Sequence, residues 1–273
     1  MIIDTHVHVW VDHTEQYPHQ RITPPPATPL EFLLENMDEA GITRAVLVQP
    51  SLYGADNTYL ADCLLRYPGR LAGIGMVDVS SPDSEKRLSY WVNERGIRGV
   101  RLMPFSDPQE NFFLLPNVRQ IFEQSAKLSI PISIFLAPRH IPNLRTLLSE
   151  CPDTKVIIEH FGRPDVVEKP LDKAIQPLLG LAFYPNVFIK VSAISYVSRE
   201  KKYPFNDVLS MTQMVKEHFG SNRMMWGSDF PGVLGRCGYA EELTIVRDRM
   251  SFLDHGEQEW ILSGTAQTLW NFT

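Results

Sequence analysis

Apolar, β-branched runs of five to eight residues alternate with helical stretches along the chain. Runs at 2–9, 44–49, 71–78, 97–102, 131–136, 155–160, 186–192 and 223–227 read as strands, eight in all. The segments between them carry helical punctuation. Thr28, Pro29 and Glu31 predict a capping box with proline at the first helical position; Leu30, Leu33, Leu34 and Met37 make one apolar stripe; Gly41 predicts the stop. A helix opened by Ser81 and Pro82 carries Leu88, Trp91 and Val92 and ends at Gly96. Another, opened by Asn206, carries Val208, Met211 and Val215 and ends at Gly220, while Val118, Ile121, Phe122, Ser125 and Leu128 mark a further apolar face.

Eight strands, each followed by a helix, within about 250 residues predict an α/β fold of the (β/α)8 TIM-barrel type, with residues 1–273 as a single domain. An open doubly wound sheet shares the alternation, but the chain has no glycine-rich phosphate loop of the kinds common in such sheets. The connections are unequal. Helix-to-strand links at 41–43, 68–70, 96 and 129–130 are short, whereas strand-to-helix links at 10–27, 103–115, 161–171, 193–205 and 228–239 are long. Long functional loops belong at the C-terminal ends of barrel strands, so the bias predicts an active site on that face.

Composition narrows the partners. With 26 Lys and Arg against 32 Asp and Glu the formal charge is −6, and the chain is 44 % hydrophobic and 21 % charged. This balance argues against nucleic acid or anionic lipid as a partner and favours a small-molecule substrate. Cys63, Cys151 and Cys237 form no C-x-x-C pair, which suits free thiols and a cytoplasmic location. No signal peptide and no run of 18 apolar residues is legible. The segment 257–272, with Trp260, Leu262, Leu269 and Trp270, either caps the barrel or meets a second copy in a homo-oligomer.

Side chains alternate faces along a strand, so Asp4, His6 and His8 are expected to point into the barrel and Ile3, Val7 and Val9 toward the helices. Two imidazoles one pleat apart are placed to share a metal ion or a substrate. By the same parity Val156, Ile158 and His160 share a face, which would bring His160 to the rim, and Asp229 follows the last strand. Taken singly, His160 reads equally as a core histidine and Asp229 as a turn or cap residue. Together with His6 and His8 they make a recurrent rim set. Lys190 alternates with Ile189 and Val191, and Arg101 shares a face with Gly99, so both cations are expected inside. A buried cation needs an anion: Arg101 and Lys190 either pair with Asp4 or Asp229, or bind a substrate carboxylate or oxyanion. His13 and His19 share the first long loop with Trp10, as a lid or plain surface; His140 is a rim candidate; His218 and His255 read as structural.

Asp4-Thr5-His6-Val7-His8-Val9-Trp10, Arg95-Gly96-Ile97-Arg98-Gly99-Val100-Arg101-Leu102, Pro138-Arg139-His140, Glu159-His160-Phe161-Gly162-Arg163-Pro164 and Trp226-Gly227-Ser228-Asp229-Phe230-Pro231 together resemble the amidohydrolase superfamily. More narrowly, they resemble its amidohydrolase-related group, which holds sugar-acid lactonases and 2-pyrone-4,6-dicarboxylate lactonase. The resemblance implies a distorted (β/α)8 barrel that hydrolyses lactones, with Asp229, His160, His6 and His8 as catalytic residues and Asp229 activating water. Arg101, Lys190, Trp10 and His140 are the expected substrate-binding residues. If an ion binds, His6, His8, His160 and Asp229 are its expected ligands, so the cofactor is either none or one zinc-like divalent ion. A binuclear centre is not expected, because strand five reads Ile132-Ser133-Ile134-Phe135-Leu136 with no histidine, and Arg101 stands where binuclear members carry a bridging lysine. A metal-dependent, non-oxidative decarboxylase and a non-catalytic ligand-binding barrel are the alternatives.

Overall fold

The computed structural model describes residues 1–20, 25–106, 110–167, 169–200, 202–270 and 272. Parts of the expected loops 10–27, 103–115 and 193–205 therefore lie outside the described residues. Eight parallel strands pair in sequence order: β1 (Ile3–Val7), β2 (Arg44–Val48), β3 (Leu71–Met76), β4 (Val100–Leu102), β5 (Ile132–Ile134), β6 (Val156–Ile158), β7 (Val187–Ser192) and β8 (Met224–Gly227). Between and after them run α1 (Leu30–Ala40), α2 (Thr58–Arg66), α3 (Ser84–Asn93), α4 (Pro116–Lys127), α5 (Ile141–Glu150), α6 (Leu171–Leu179), α7 (Ile194–Val197), α8 (Asn206–Phe219), α9 (Tyr239–Thr244), α10 (His255–Glu259) and α11 (Thr265–Leu269). This is a nearly closed TIM barrel. The seam between β1 and β8 is joined past the ends of the regular ladder, by a parallel bridge of Val7 to Phe230, His8 N–H to Phe230 O at 2.8 Å and Asp229 N–H to His6 O at 2.9 Å.

Strand alternation divides the core in two. Ala45, Leu47, Val100, Leu102, Ile132, Ile134, Val156, Ile158, Val187, Ile189 and Val191 pack outward against the helices. Ile3, Val46, Val48, Ala72, Ile74, Ile157, Phe188 and Met225 fill the lower interior with Ala266, Leu269, Trp270 and Phe272 of the chain's end. The C-terminal segment thus caps the barrel; Trp270 is buried and its indole N–H donates to Arg98 O at 3.1 Å, while Trp260 stays half exposed. Burying one large apolar side chain stabilises the fold by roughly 1.5–3 kcal/mol, so this plug contributes several times that.

Two sequence expectations about facing fail for local reasons. The β1 register shifts between Asp4 and Val7. Ile3 therefore points inside with His6, while Asp4 turns toward α9, where Oδ2 accepts from the Tyr239 hydroxyl at 2.9 Å and Oδ1 from the Ser228 and His6 amides at 3.0 Å. On β6, Val156 and Ile158 face outward, and Ile157 faces inward with Glu159 following in the same direction. His160 reaches the interior by another route: the chain leaves the strand through positive φ at His160 (52°), Phe161 (55°), Gly162 (69°) and Arg163 (48°). Thr28 does not cap α1 either. Its backbone pairs with Trp10 in both directions, at 2.8 and 2.9 Å, so Pro29 takes the cap position. Gly41 closes α1 with φ 71°, as expected. The α3 helix begins at Ser84, after Ser81 and Pro82, and α8 at Asn206 itself.

Candidate active site

Three histidines and an aspartate meet where the seam opens at the C-terminal end of the strands. His6 Nε2 and His8 Nε2 stand 3.2 Å apart, and each is 3.6 Å from Asp229 Oδ1. His160 Nε2 is 4.0 Å from the same oxygen, and its ring centre is 4.5 Å from that of His6. Asp229 adopts φ 64°, a left-handed turn that aspartate tolerates better than most residues, and this conformation carries its carboxylate back over β1. Gly227 is needed beside it, because a Cβ there would lie 2.8 Å from the His6 Cβ. His6 is fully buried, whereas the Asp229 side chain is 20 % exposed.

Beneath this set lies an ion-pair layer. Arg101 grips Glu159 with two nitrogens, Nε to Oε1 at 3.0 Å and Nη2 to Oε2 at 2.7 Å, and Ser133 Oγ donates to Glu159 Oε1 at 2.8 Å. Lys190 Nζ sits 3.1 Å from His6 Nδ1. The expected pairing of these cations with Asp4 or Asp229 is thus replaced by Glu159 for Arg101 and an imidazole for Lys190. Arg101 is 6 % exposed and Lys190 fully buried, so both lie below the site. Glu159 was not singled out from the sequence; its inward parity with Ile157 and the need for an anion opposite buried Arg101 were the signals. Ser192 shares the parity of Lys190 on β7, and its Oγ meets His160 Nδ1 at 2.9 Å.

Burial and pairing set the charges. Burial favours protonation of Glu159, but Arg101, Lys190 and His160 more than offset it and hold the carboxyl at about 2. Burial likewise works to raise Asp229, and His160 and His8 bring it below its ordinary value. Burial lowers His160 to about 4 in spite of Asp229 and Glu159, and lowers Lys190 to about 8 in spite of Glu159. His6 is pushed well below the usual histidine range by burial and by Lys190. At neutral pH the site therefore presents an ionised Asp229 beside neutral His6 and His160.

Trp10 lines a recess of about 450 Å3 with His8, Pro25, Pro26, Ala27, Thr28, Asp229, Pro231 and Gly232. Its indole N–H is held by Pro26 O at 2.8 Å. On another side, Arg163 stacks over Phe105 and Phe135 at 5.1 and 5.5 Å, and Phe135 in turn touches His160 at 5.7 Å between ring centres. His140 is buried at the turn after β5, where Nδ1 accepts from the Ala137 N–H at 3.1 Å; it belongs to neither histidine cluster. His13 Nδ1 accepts from the His19 N–H at 2.9 Å and His19 Nε2 meets Val11 O at 2.8 Å, which ties the first loop to itself.

Two groups have donor atoms close enough to hold a cation: His6, His8 and Asp229, and His6, Glu159 and His160. Zinc–nitrogen bonds of about 2.0–2.1 Å give a tetrahedron with edges of about 3.4 Å, and the first group's 3.2, 3.6 and 3.6 Å edges fit it. The second group fits less well, because Glu159 is already occupied by Arg101 and Ser133. No helix among the described residues is long and apolar enough to cross a membrane.

Comparison with known proteins bears on this geometry. The chain is 31 % identical over 234 residues to 4-sulfomuconolactone hydrolase of Rhizobium radiobacter, covering 84 % of this chain and 75 % of that one. Its fold matches a probable 2-pyrone-4,6-dicarboxylic acid hydrolase of Acinetobacter baumannii, crystallised with citric acid, at a TM-score of 0.82 and 27 % identity over 98 % of each chain. It also matches the fold of an amidohydrolase of Burkholderia multivorans with bound zinc, at a TM-score of 0.85 and 19 % identity over 98 % of each chain. The profile described as Amidohydrolase aligns with residues 3–272, and the chain belongs to that family.

Proposed function

We propose that this protein hydrolyses the lactone ring of a small acid, with Asp229 taking the proton from the attacking water. One observation carries the reading: an ionised, partly exposed carboxylate lies within 3.6–4.0 Å of three imidazole nitrogens at the open end of a barrel. The named lactone hydrolase among its relatives supports it.

The Asp229 side chain is 20 % exposed and that of His8 16 %, so water reaches both from the mouth. Proton removal by such a base contributes typically about 10²–10⁴-fold. His6, His8 and His160 line the side on which the carbonyl oxygen gains charge, and their rings, already held by Lys190, Val48 and Ser192, need little reorganisation. The recess beside Trp10 receives the uncharged part of the ring, and Arg163 receives an anionic group of the substrate. Arg101 and Lys190 serve through Glu159 and His6, not by touching the substrate.

A single divalent ion, when bound, is held by His6, His8 and Asp229 and supplies Lewis-acid polarisation of the carbonyl. The Arg101–Glu159–Ser133 network fills the space beside strands four and five, which supports one ion in preference to two. The test is a panel of carboxylated and sugar-acid lactones, with acid release followed in a pH-stat on chelated and zinc-supplemented protein. Stoichiometric ring opening of at least one member is expected. Inertness toward the whole panel in both preparations overturns the proposal.

A further inference from the structure

The last two strands both hand the chain to the site through left-handed backbone. The residue after β7, Ala193, has φ 52°, and Asp229, two residues after β8, has φ 64°. Such backbone is unfavourable for an alanine and persists only where neighbouring groups hold it. The holders reach in from α9. Glu242 Oε1 accepts the Ile194 amide, next to Ala193, at 2.9 Å. Three residues earlier on the helix, the Tyr239 hydroxyl donates to Asp4 Oδ2 at 2.9 Å, and the other oxygen of that carboxylate accepts the His6 and Ser228 amides at 3.0 Å. Residues three apart are neighbours on a helix surface, so α9 turns both groups toward the barrel. Glu242 is fully buried and Tyr239 is 4 % exposed.

We propose that α9 is a clamp, in which Tyr239 and Glu242 are positioning residues for the reaction. Tyr239 acts through Asp4, whose single oxygen ties the main chain of His6 to that of Ser228, the neighbour of Asp229. Glu242 acts through Ile194 on the exit from β7, where Ser192 Oγ meets His160 Nδ1 at 2.9 Å. One short helix thereby fixes the strand ends on both sides of the seam.

The residue types fit this role better than simple filling of space. Burying a carboxylate is unfavourable, and an apolar side chain of the same length would pack beside α7 without that cost. What the apolar side chain lacks is an acceptor for the Ile194 amide. The second oxygen of Glu242 is also engaged, accepting from the Cys237 thiol at 3.2 Å, which holds the carboxylate in one orientation. Tyr239 is likewise distinguished from phenylalanine by one oxygen, and that oxygen is the one on Asp4. The catalytic half of this inference rests on the hydrolase reading; the clamp itself does not.

The test uses full-length Tyr239→Phe, which loses only the hydroxyl, Glu242→Met, which keeps length without an acceptor, and Glu242→Gln, which keeps the acceptor. Kinetics are measured well below the melting temperature, on the lactone that the unsubstituted protein opens best. Tyr239→Phe and Glu242→Met are each expected to lose about tenfold in kcat with KM changed by less than about twofold, since displaced groups spoil the reacting geometry more than binding. Glu242→Gln is expected to restore kcat. An unchanged kcat in either deletion variant, or a Gln variant as slow as the Met variant, overturns the positioning role, whatever the stability. Amide hydrogen exchange read by NMR supplies the second arm. The Ile194 amide is expected to exchange about tenfold faster in Glu242→Met and at the original rate in Glu242→Gln. If no lactone is opened by the unsubstituted protein, the hydrolase reading falls and exchange alone judges the clamp: equal protection in all three proteins overturns it. Should Glu242→Met not fold, Tyr239→Phe and exchange at its Ser228 amide decide in the same way.

Discussion

The lower and upper halves of the barrel interior are built from the same strands and opposite chemistry. Below, Ile3, Val46, Ala72, Ile157, Phe188 and Met225 close around Trp270 with scarcely a polar atom to satisfy. One pleat or two higher, the same strands deliver His6, Glu159 and Lys190, and β4 and β5 add Arg101 and Ser133. The lower half works by excluding water, and its members are exchangeable for others of similar volume. Each polar member above exists because another does: removing Glu159 strands Arg101, and removing Lys190 frees His6. Stability and chemistry are thus divided by height along the strand, and the middle layer of ion pairs belongs to both.

The sharpest test of this division is Asp229→Asn. Asparagine tolerates the φ of 64° and keeps the shape, so the thermal midpoint is expected to stay within a few degrees while kcat/KM falls by about 10²–10⁴-fold. A near-normal rate on a good lactone would remove Asp229 from its role. Glu159→Gln attacks the middle layer. It leaves a buried guanidinium uncompensated and is expected to cost about 3–5 kcal/mol in urea unfolding, with turnover lost alongside. A variant that loses activity at full stability would place Glu159 in the upper region alone. Trp270→Ala attacks the lower half, with an expected cost of about 3 kcal/mol and unaltered kcat/KM well below its melting temperature. A fall in kcat/KM there would show that the two halves are mechanically coupled.

The smallest expected effect separates the layers by pH. Glu159 titrates at about 2 in the fold against roughly 4.3 in an unfolded chain. Its contribution, on the order of 3 kcal/mol, is complete above about pH 5 and is lost as pH falls toward 2. Lys190 has the opposite sign. Its folded value of about 8 lies below the unfolded one, so the fold gains stability as pH rises between about 8 and 10. Unfolding free energies between pH 3 and 10 on Glu159→Gln and on the unsubstituted chain resolve both limbs. An acid limb of equal depth in the two proteins would assign it elsewhere.

Much of this was legible in the chain itself. All eight strands were expected where they lie, because in a barrel the apolar, β-branched runs are continuous and the helices between them are periodic. His6, His8, His160 and Asp229 were singled out from their positions at strand ends, and the structure brings these four together. Facing was harder. Strict alternation put Asp4 inside and Val156 with His160, and neither holds, because a register shift in β1 and consecutive positive φ values after β6 break the two-residue period. Such breaks go with hydrogen-bond partners, the Ser228 amide and the Tyr239 hydroxyl for the Asp4 carboxylate, that lie more than 200 positions away. The Val48 carbonyl was invisible for another reason: a main-chain oxygen carries no residue type to notice.

The seam has one more consequence. His6 and His8 precede Asp229 by more than 200 positions along the chain, yet they meet it only where Asp229 and Phe230 dock on the first strand. A nascent chain, or any fragment cut short of that docking, therefore has half of its chemistry in hand and no means to use it. The cluster is complete only when the ring is closed.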